Sequence, residues 1–215
     1  MTLFWHMLRK ATLLFILSVF TVSAVHAEEG SKNEVGLLLG ATVTPTRTLS
    51  GQSATVEFGS GLVFQATYAR QLSHFYGAAL FFELPFVASP LVGLSSSNLS
   101  VPANYAFLFV TPGLRLKVRP HSAVTPWVSL GGGYGFFEES KERQDGTVIP
   151  RINAGRGAVQ FGGGVDFRKP IKVLFPLGFR AEVRDFYSGT PDFRTTASGG
   201  LQHNLVLSGG LVVRF

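Results

Sequence analysis

Apolar and polar residues alternate along most of the chain from residue 34 onward. In segment 34–43, Val35, Leu37, Leu39, Ala41 and Val43 fall on one face. In 75–86, Tyr76, Ala78, Leu80, Phe82, Leu84 and Phe86 oppose Gly77, Ala79, Phe81 and Glu83. In 157–168, Val159, Phe161, Gly163, Val165 and Phe167 oppose Gln160, Gly162, Gly164, Asp166 and Arg168. In 174–186, Leu177, Phe179, Ala181 and Val183 oppose Gly178, Arg180, Glu182 and Arg184. A period of two marks β-strands whose faces meet different surroundings. The pattern predicts eight strands, at 34–43, 59–70, 75–86, 106–119, 125–137, 157–168, 174–186 and 204–215. Pro112 cannot donate to a ladder, so a bulge or register change is expected there, with Phe107 and Phe109 left unassigned to a face.

The connections alternate in length. Gln71-Leu72-Ser73-His74, Pro120-His121-Ser122-Ala123-Val124 and Lys169-Pro170-Ile171-Lys172-Val173 are short, whereas 44–58, 87–105, 138–156 and 187–203 are long and rich in Ser, Thr, Gly and Pro. An even number of strands with short turns on one rim and long loops on the other is the plan of an outer-membrane barrel. The expected fold is therefore all-β, an eight-stranded antiparallel up-and-down transmembrane barrel. Strand length agrees, because a tilted strand crosses a bilayer in ~9–11 residues.

The N-terminus supplies the matching export signal. Arg9 and Lys10 precede an apolar run from Ala11 to Val22, and Ser23-Ala24-Val25-His26-Ala27 offers small residues before a cleavage point. Residues 1–27 are expected to be a signal peptide and 28–215 the barrel domain. The chain has no cysteine, which excludes disulfides, a lipidated cysteine anchor and thiolate metal sites. Its formal charge of +6, two units of which leave with Arg9 and Lys10, is spread without a basic run and gives no nucleic-acid footprint. Charged residues are only 15% of the chain, low for a soluble domain.

Polarity decides which face is inside. The apolar face is nearly unbroken, while the other combines charges with glycines such as Gly36, Gly77, Gly131, Gly133, Gly135, Gly162 and Gly164. Small residues suit a narrow interior that must also hold long side chains. The interior is thus expected to hold Glu83, Arg115 and Lys117, then Asp166, Arg180, Glu182 and Arg184, and finally Arg214. Charges buried together must pair or be wetted, which gives a salt-bridged plug or, as the alternative, a gate that passes small ions. Asp166 is expected diagonally across from Arg180, and Glu182 two residues from both Arg180 and Arg184. Aromatics near the strand ends predict two interfacial girdles: Tyr68, Phe75, Tyr76, Trp127, Phe175 and Phe215 on the short-turn side, with Phe58, Phe86, Tyr105, Phe136, Phe186 and Tyr187 opposite.

Gly162-Gly163-Gly164-Val165-Asp166-Phe167, the segment from Phe179 through Arg184 to Tyr187, Thr125-Pro126-Trp127 with the following Gly131-Gly132-Gly133-Tyr134, and the terminal Arg214-Phe215 together resemble the OmpA-like small outer-membrane barrels of the porin family. The resemblance implies an internal network on Glu83, Arg115, Lys117, Glu182 and Arg184. It also implies that the terminal Phe215, with Val213 and Leu211 on its face, is read by the barrel assembly machinery. Val213 stands where many members carry an aromatic, and no peptidoglycan-binding domain follows Phe215, so anchoring to the cell wall is not implied.

Enzymatic chemistry finds little support. A lipid A hydrolase needs a serine, a histidine and an orienting acid on one face. Ser73-His74 and His121-Ser122 are adjacent in turns and point apart, and His203 has no serine two residues away. Glu138, Glu139, Glu142 and Asp145 share a loop with Lys141 and Arg143 and read as a solvated tip. The triple glycines lack the Lys-Ser/Thr of a phosphate loop. The expected protein is non-enzymatic, without metal or cofactor, and monomeric in the outer membrane. It meets lipid and lipopolysaccharide there, and periplasmic chaperones and the assembly machinery on the way. Its role is structural or lies in surface contacts of the extracellular loops. A narrow ion or solute pore is the second reading and a lipid A-modifying enzyme the third.

Overall fold

The computed structural model describes residues 32–43, 47–48, 55–96, 102–148, 150, 153–168, 177–189 and 201–215. The expected signal peptide, the third short turn and residues 174–176 lie outside them. All the strands belong to one antiparallel sheet that closes on itself. They are β1 (Asn33–Val43), β2 (Arg47–Thr48), β3 (Thr55–Phe75), β4 (Ala78–Ser96), β5 (Asn104–Val110), β6 (Gly113–Val118), β7 (Val124–Glu139), β8 (Asn153–Arg168), β9 (Leu177–Gly189) and β10 (Leu201–Arg214). Strands β5 and β6 are two halves of one stave between β4 and β7, and β2 is a short addition to the upper flank of β3. Eight staves remain, and β1 pairing with both β3 and β10 closes the ring.

Closure leaves none of the eight staves as an open edge, the condition for putting a sheet into lipid. At the seam, Asn33 N donates to Phe215 O at 2.9 Å and Phe215 N donates to Asn33 O at 3.0 Å. Leu37, Leu39, Leu62, Phe64, Val128, Leu130, Phe161, Phe179, Leu207 and Leu211 all point outward and are exposed, forming an apolar belt. Among the described residues no helix is long and apolar enough to cross a membrane.

Three expectations need correction. First, the turn between the second and third staves is not at residues 71–74. Strand β3 continues through them with a bulge between Gln71 and Ser73, and the chain reverses at Tyr76-Gly77, with Phe75 opposite Ala78. Gly77 has φ 72, a left-handed conformation that a side chain disfavours, and this rather than the polarity of Ser73-His74 sets the turn. Second, Pro112 produces neither bulge nor register change. Pairing lapses at Thr111-Pro112, yet Val110 opposite Phe86 and Gly113 opposite Glu83 lie on one unbroken register. Gly132 N donates to Pro112 O at 3.0 Å across the gap. Phe107 and Phe109 therefore share the inward face of Arg115 and Lys117.

Third, much sequence expected in long loops is strand. Strands β3 and β4 have 21 and 19 residues, about twice what a membrane crossing requires. Above the belt, Phe58 pairs with Leu94 and Val56 with Ser96, while Arg47 of β2 joins on the outer flank. On the other flank Leu94 N donates to Ala103 O, and Ala103 N donates to Glu142 O. Gln144 Nε2 donates to Leu94 O at 2.6 Å and ties the loop after β7 onto β4. The result is a small external sheet. It keeps one inward face, where Val92 and Leu94 are buried, but the register shift between Ser89 and Val92 changes the inward parity, so the alternation of the membrane part does not run on into it.

Candidate functional site

Inward positions of the staves fill the lumen, and they divide it into two storeys. Near the short turns, Glu34 at the start of β1 is the hub. Lys117 Nζ donates to its two carboxylate oxygens at 2.5 and 2.7 Å, Arg214 Nε at 3.0 Å and Arg180 Nη2 at 3.2 Å. Asp166 is held by Arg180 Nε at 2.6 Å, Lys117 Nζ at 2.7 Å, Arg214 Nη2 at 3.0 Å and the Trp127 indole at 3.2 Å. Deeper in, Glu83 is gripped by Arg115 and by Arg184, whose Nη1 and Nη2 donate at 2.9 and 3.2 Å. Glu182 accepts from Arg184 Nε and Gln65 Nε2, each at 2.5 Å.

All these groups are buried. An isolated buried charge is prohibitively costly, and shared pairing is what makes the set tolerable. Among the described residues, Arg115, Lys117, Arg180, Arg184 and Arg214 face Glu34, Glu83, Asp166 and Glu182, one cation in excess. Trp127 lies among the guanidinium groups, its ring 4.5 Å from Arg115, 5.2 Å from Arg180 and 5.3 Å from Arg184. The negative face of an indole stabilises such cations.

The eight residues expected in the interior are thus brought into one network. The relation of Asp166 to Arg180 differs from expectation: the two stand directly opposite in the β8–β9 register rather than diagonally. Glu182 does bond Arg184, whereas Arg180 Nε stays 4.0 Å from it. Three members escaped sequence reasoning, namely Glu34, Gln65 and Trp127. Glu34 has the parity of Gly36, and Trp127 that of Gly131 and Gly133, which is the signal that places both inside. Trp127, Tyr105 and Phe186 are therefore not girdle residues; all three are buried in the lumen. Glu139 likewise ends β7 buried and inward, not on a solvated tip, while Glu142 and Asp145 are exposed.

The storey toward the long loops is apolar. Tyr105, Phe107 and Phe109 from β5 meet Phe137 of β7 and Phe186 of β9, with Val63, Val87 and Val206 around them. Phe109 stacks on Phe186 with centroids 4.6 Å apart and meets Phe137 edge-on at 5.6 Å. Two glycines are seats for rings. A Cβ on Gly135 would lie 2.5 Å from the Phe109 ring, and one on Gly164 2.6 Å from the Trp127 ring. Amides close the top, where Gln202 Nε2 donates to Asn204 Oδ1 and Asn204 Nδ2 to Phe186 O.

On the outer wall, His203 Nδ1 lies 2.6 Å from Asp185 Oδ2, and its ring is 4.7 Å from that of Tyr187. Sequence spacing missed this acid because it comes from the neighbouring stave. The same face continues with Leu201 and Leu205, and Ser188 is turned into the lumen, bonded by Asn204.

A closed ring of eight staves, an apolar belt outside and charges inside define a small outer-membrane β-barrel, and the protein resides in the outer membrane. No protein-family model and no curated protein matches the chain. Solved structures do. Neisserial surface protein A aligns at 13% identity and TM-score 0.55, over 87% of this chain and 100% of that one. OprG from Pseudomonas aeruginosa aligns at 15% identity and TM-score 0.47, over 86% and 96%. Ail, the attachment invasion locus protein of Yersinia pestis, aligns at 15% and 0.45, over 86% and 99%. At these identities the likeness is one of fold, and the first of the three carries it along the whole barrel.

Proposed function

We propose that this protein is a non-enzymatic, monomeric scaffold barrel whose working part is the sheet it raises above the membrane. The observation that carries this reading is the length of β3 and β4, which outrun the belt and are joined by residues 102–104 and 140–144. Functional surfaces sit on segments positioned by a rigid scaffold, and here the scaffold itself extends into the extracellular space. Lumen filling supports the same reading over a pore: a buried, cross-linked ion network lies under a plug of aromatic rings. Over a lipid A-modifying enzyme, it is supported by the surroundings of His203, which has its acid but apolar neighbours along its strand. Lipid and lipopolysaccharide contact the belt, and chaperones and the assembly machinery handle the chain before closure.

The test removes the sheet and keeps the barrel. Residues 45–58, 94–103 and 140–152 are replaced by short turns, which takes away β2 and the paired upper ends of β3 and β4, and heat-modified gel migration verifies folding. Cell–cell aggregation of expressing cells should then fall to the level of cells without the protein. Planar bilayers should show no conductance above background for either form, and lipid A mass spectra should not change on expression. Stepwise conductance of the intact barrel would install the pore reading, and altered lipid A the enzymatic one.

A further inference from the structure

His74 and His121 are not used by the scaffold reading. They lie far apart in sequence, on β3 and on the β6–β7 turn, yet their rings sit 5.5 Å apart and are inclined by 55° on the short-turn rim. Both are exposed. We propose that they form a two-imidazole site for a divalent transition ion, Cu2+ or Zn2+, on the periplasmic rim of the barrel.

The spacing is what a shared metal demands. With metal–nitrogen bonds of ~2.0–2.1 Å, each ring centroid lies ~3.2 Å from the ion. That sets two centroids ~5.2 Å apart at the tetrahedral angle of Zn2+ and ~4.5 Å apart at the right angle of tetragonal Cu2+. The rings therefore suit Zn2+ as they stand and close slightly on Cu2+. Imidazole is a preferred ligand of these ions, and water completes the coordination. The site is also pre-organised. His74 lies in the β3–β4 ladder opposite Ala79, and β4 is in turn paired with β6 at Ala78 and Val118. Arg119 N donates to Gly77 O at 2.6 Å, which ties the two turns together. Ser122 N donates to Arg119 O at 2.9 Å and folds the segment bearing His121 back over that link. Arg119 itself adopts φ 51, an unusual conformation for a side-chain-bearing residue, just before His121. Four structural segments therefore hold two imidazoles at metal-sharing distance.

The experiment uses the whole barrel, refolded in detergent without an affinity tag, and Cu2+ as the probe. Calorimetry should find one tight equivalent, and electron paramagnetic resonance should show two nitrogen couplings on a single copper. His74→Ala and His121→Ala should each weaken binding at least tenfold and leave a one-nitrogen spectrum, with Zn2+ competing in the native protein. His203→Ala, an exposed histidine at the other rim, should change nothing. Heat-modified migration of every variant controls for folding. The proposal fails if either single variant binds as the native protein does, if His203→Ala loses as much, or if the native spectrum shows one nitrogen only.

Discussion

The two storeys of the lumen share one wall, one set of strands and one inward parity, but they are held together by different physics. Around Glu34 and Asp166, each carboxylate is shared by three or more donors from different staves. Around Phe109 aromatic rings dominate and are fitted to volume, one of them over the bare backbone of Gly135. Strand alternation separates inside from outside; it does not decide that the inside is polar. A lumen out of reach of lipid is a protein core, and it can be held by shared ion pairing or by close packing. The contrast predicts opposite tolerances. A charged storey should forgive small changes of shape and punish the loss of one charge, while an apolar storey should do the reverse.

The sharpest break is Glu34→Ala. It strands Lys117, Arg180 and Arg214 without one of their acceptors, and removing one member of a buried network typically costs about 3–5 kcal/mol. The urea midpoint of the refolded barrel should fall accordingly, and Glu34→Gln should recover little because the shape returns without the charge. Glu182→Ala should cost less, since Arg184 keeps Glu83. Exposed Glu142→Ala is the control. Should Glu34→Ala match that control, the lower storey is wet rather than paired and the comparison collapses.

In the upper storey Phe109→Ala should cost about 3–5 kcal/mol through the cavity it leaves, while Phe109→Leu should cost only about 1 kcal/mol because volume is largely kept. That gap between alanine and leucine has no counterpart at Glu34. Gly135→Ala adds a methyl where the Phe109 ring already lies, an overpacking cost of about 1–3 kcal/mol. The double variant Gly135→Ala with Phe109→Leu should be more stable than the sum of the singles predicts. Simple additivity would mean that the ring is not seated on the glycine.

How far the sequence reveals this follows from the same division. Alternation assigns faces correctly for β1, β4, β8 and β9, because lipid enforces a strict period on the outer side. Lumen charges follow at once, so Glu83, Arg115, Lys117, Asp166, Arg180, Glu182, Arg184 and Arg214 are legible. Glu34 shares the parity of Gly36, but at the edge of the alternating run it reads equally as a residue ahead of the strand. Trp127, Tyr105 and Phe186 mislead because an aromatic near a strand end reads equally as girdle or as core. The apolar storey is hidden altogether: Pro112 obscures the parity of Phe107 and Phe109, and only the unbroken register across it shows that they point inward. The external sheet is hidden for a different reason, since the register shifts between Phe58 and Gly61 and between Ser89 and Val92 break the period on the way into it.

The smallest change in folded stability should come at the seam, where Phe215 contributes two backbone hydrogen bonds to Asn33. Each is worth about 0.5–1.5 kcal/mol net, so deleting Phe215 should lower the midpoint of a refolded barrel modestly, well short of Glu34→Ala. Neither storey of the lumen is touched, which makes the seam a test of assembly rather than of packing. If the assembly machinery reads the terminal aromatic together with Val213 and Leu211 on the same face, outer-membrane yield in cells should collapse where stability barely moves. Deletion alone confounds the two, because it removes both the signal and the hydrogen bonds. Appending one residue after Phe215 separates them: both bonds to Asn33 can persist, while the terminal carboxylate is displaced. The refolded midpoint of that variant should equal the native value, and its cellular yield should still fall. Normal yield from the extended chain would show that Phe215 serves the barrel only as the last rung between β10 and β1.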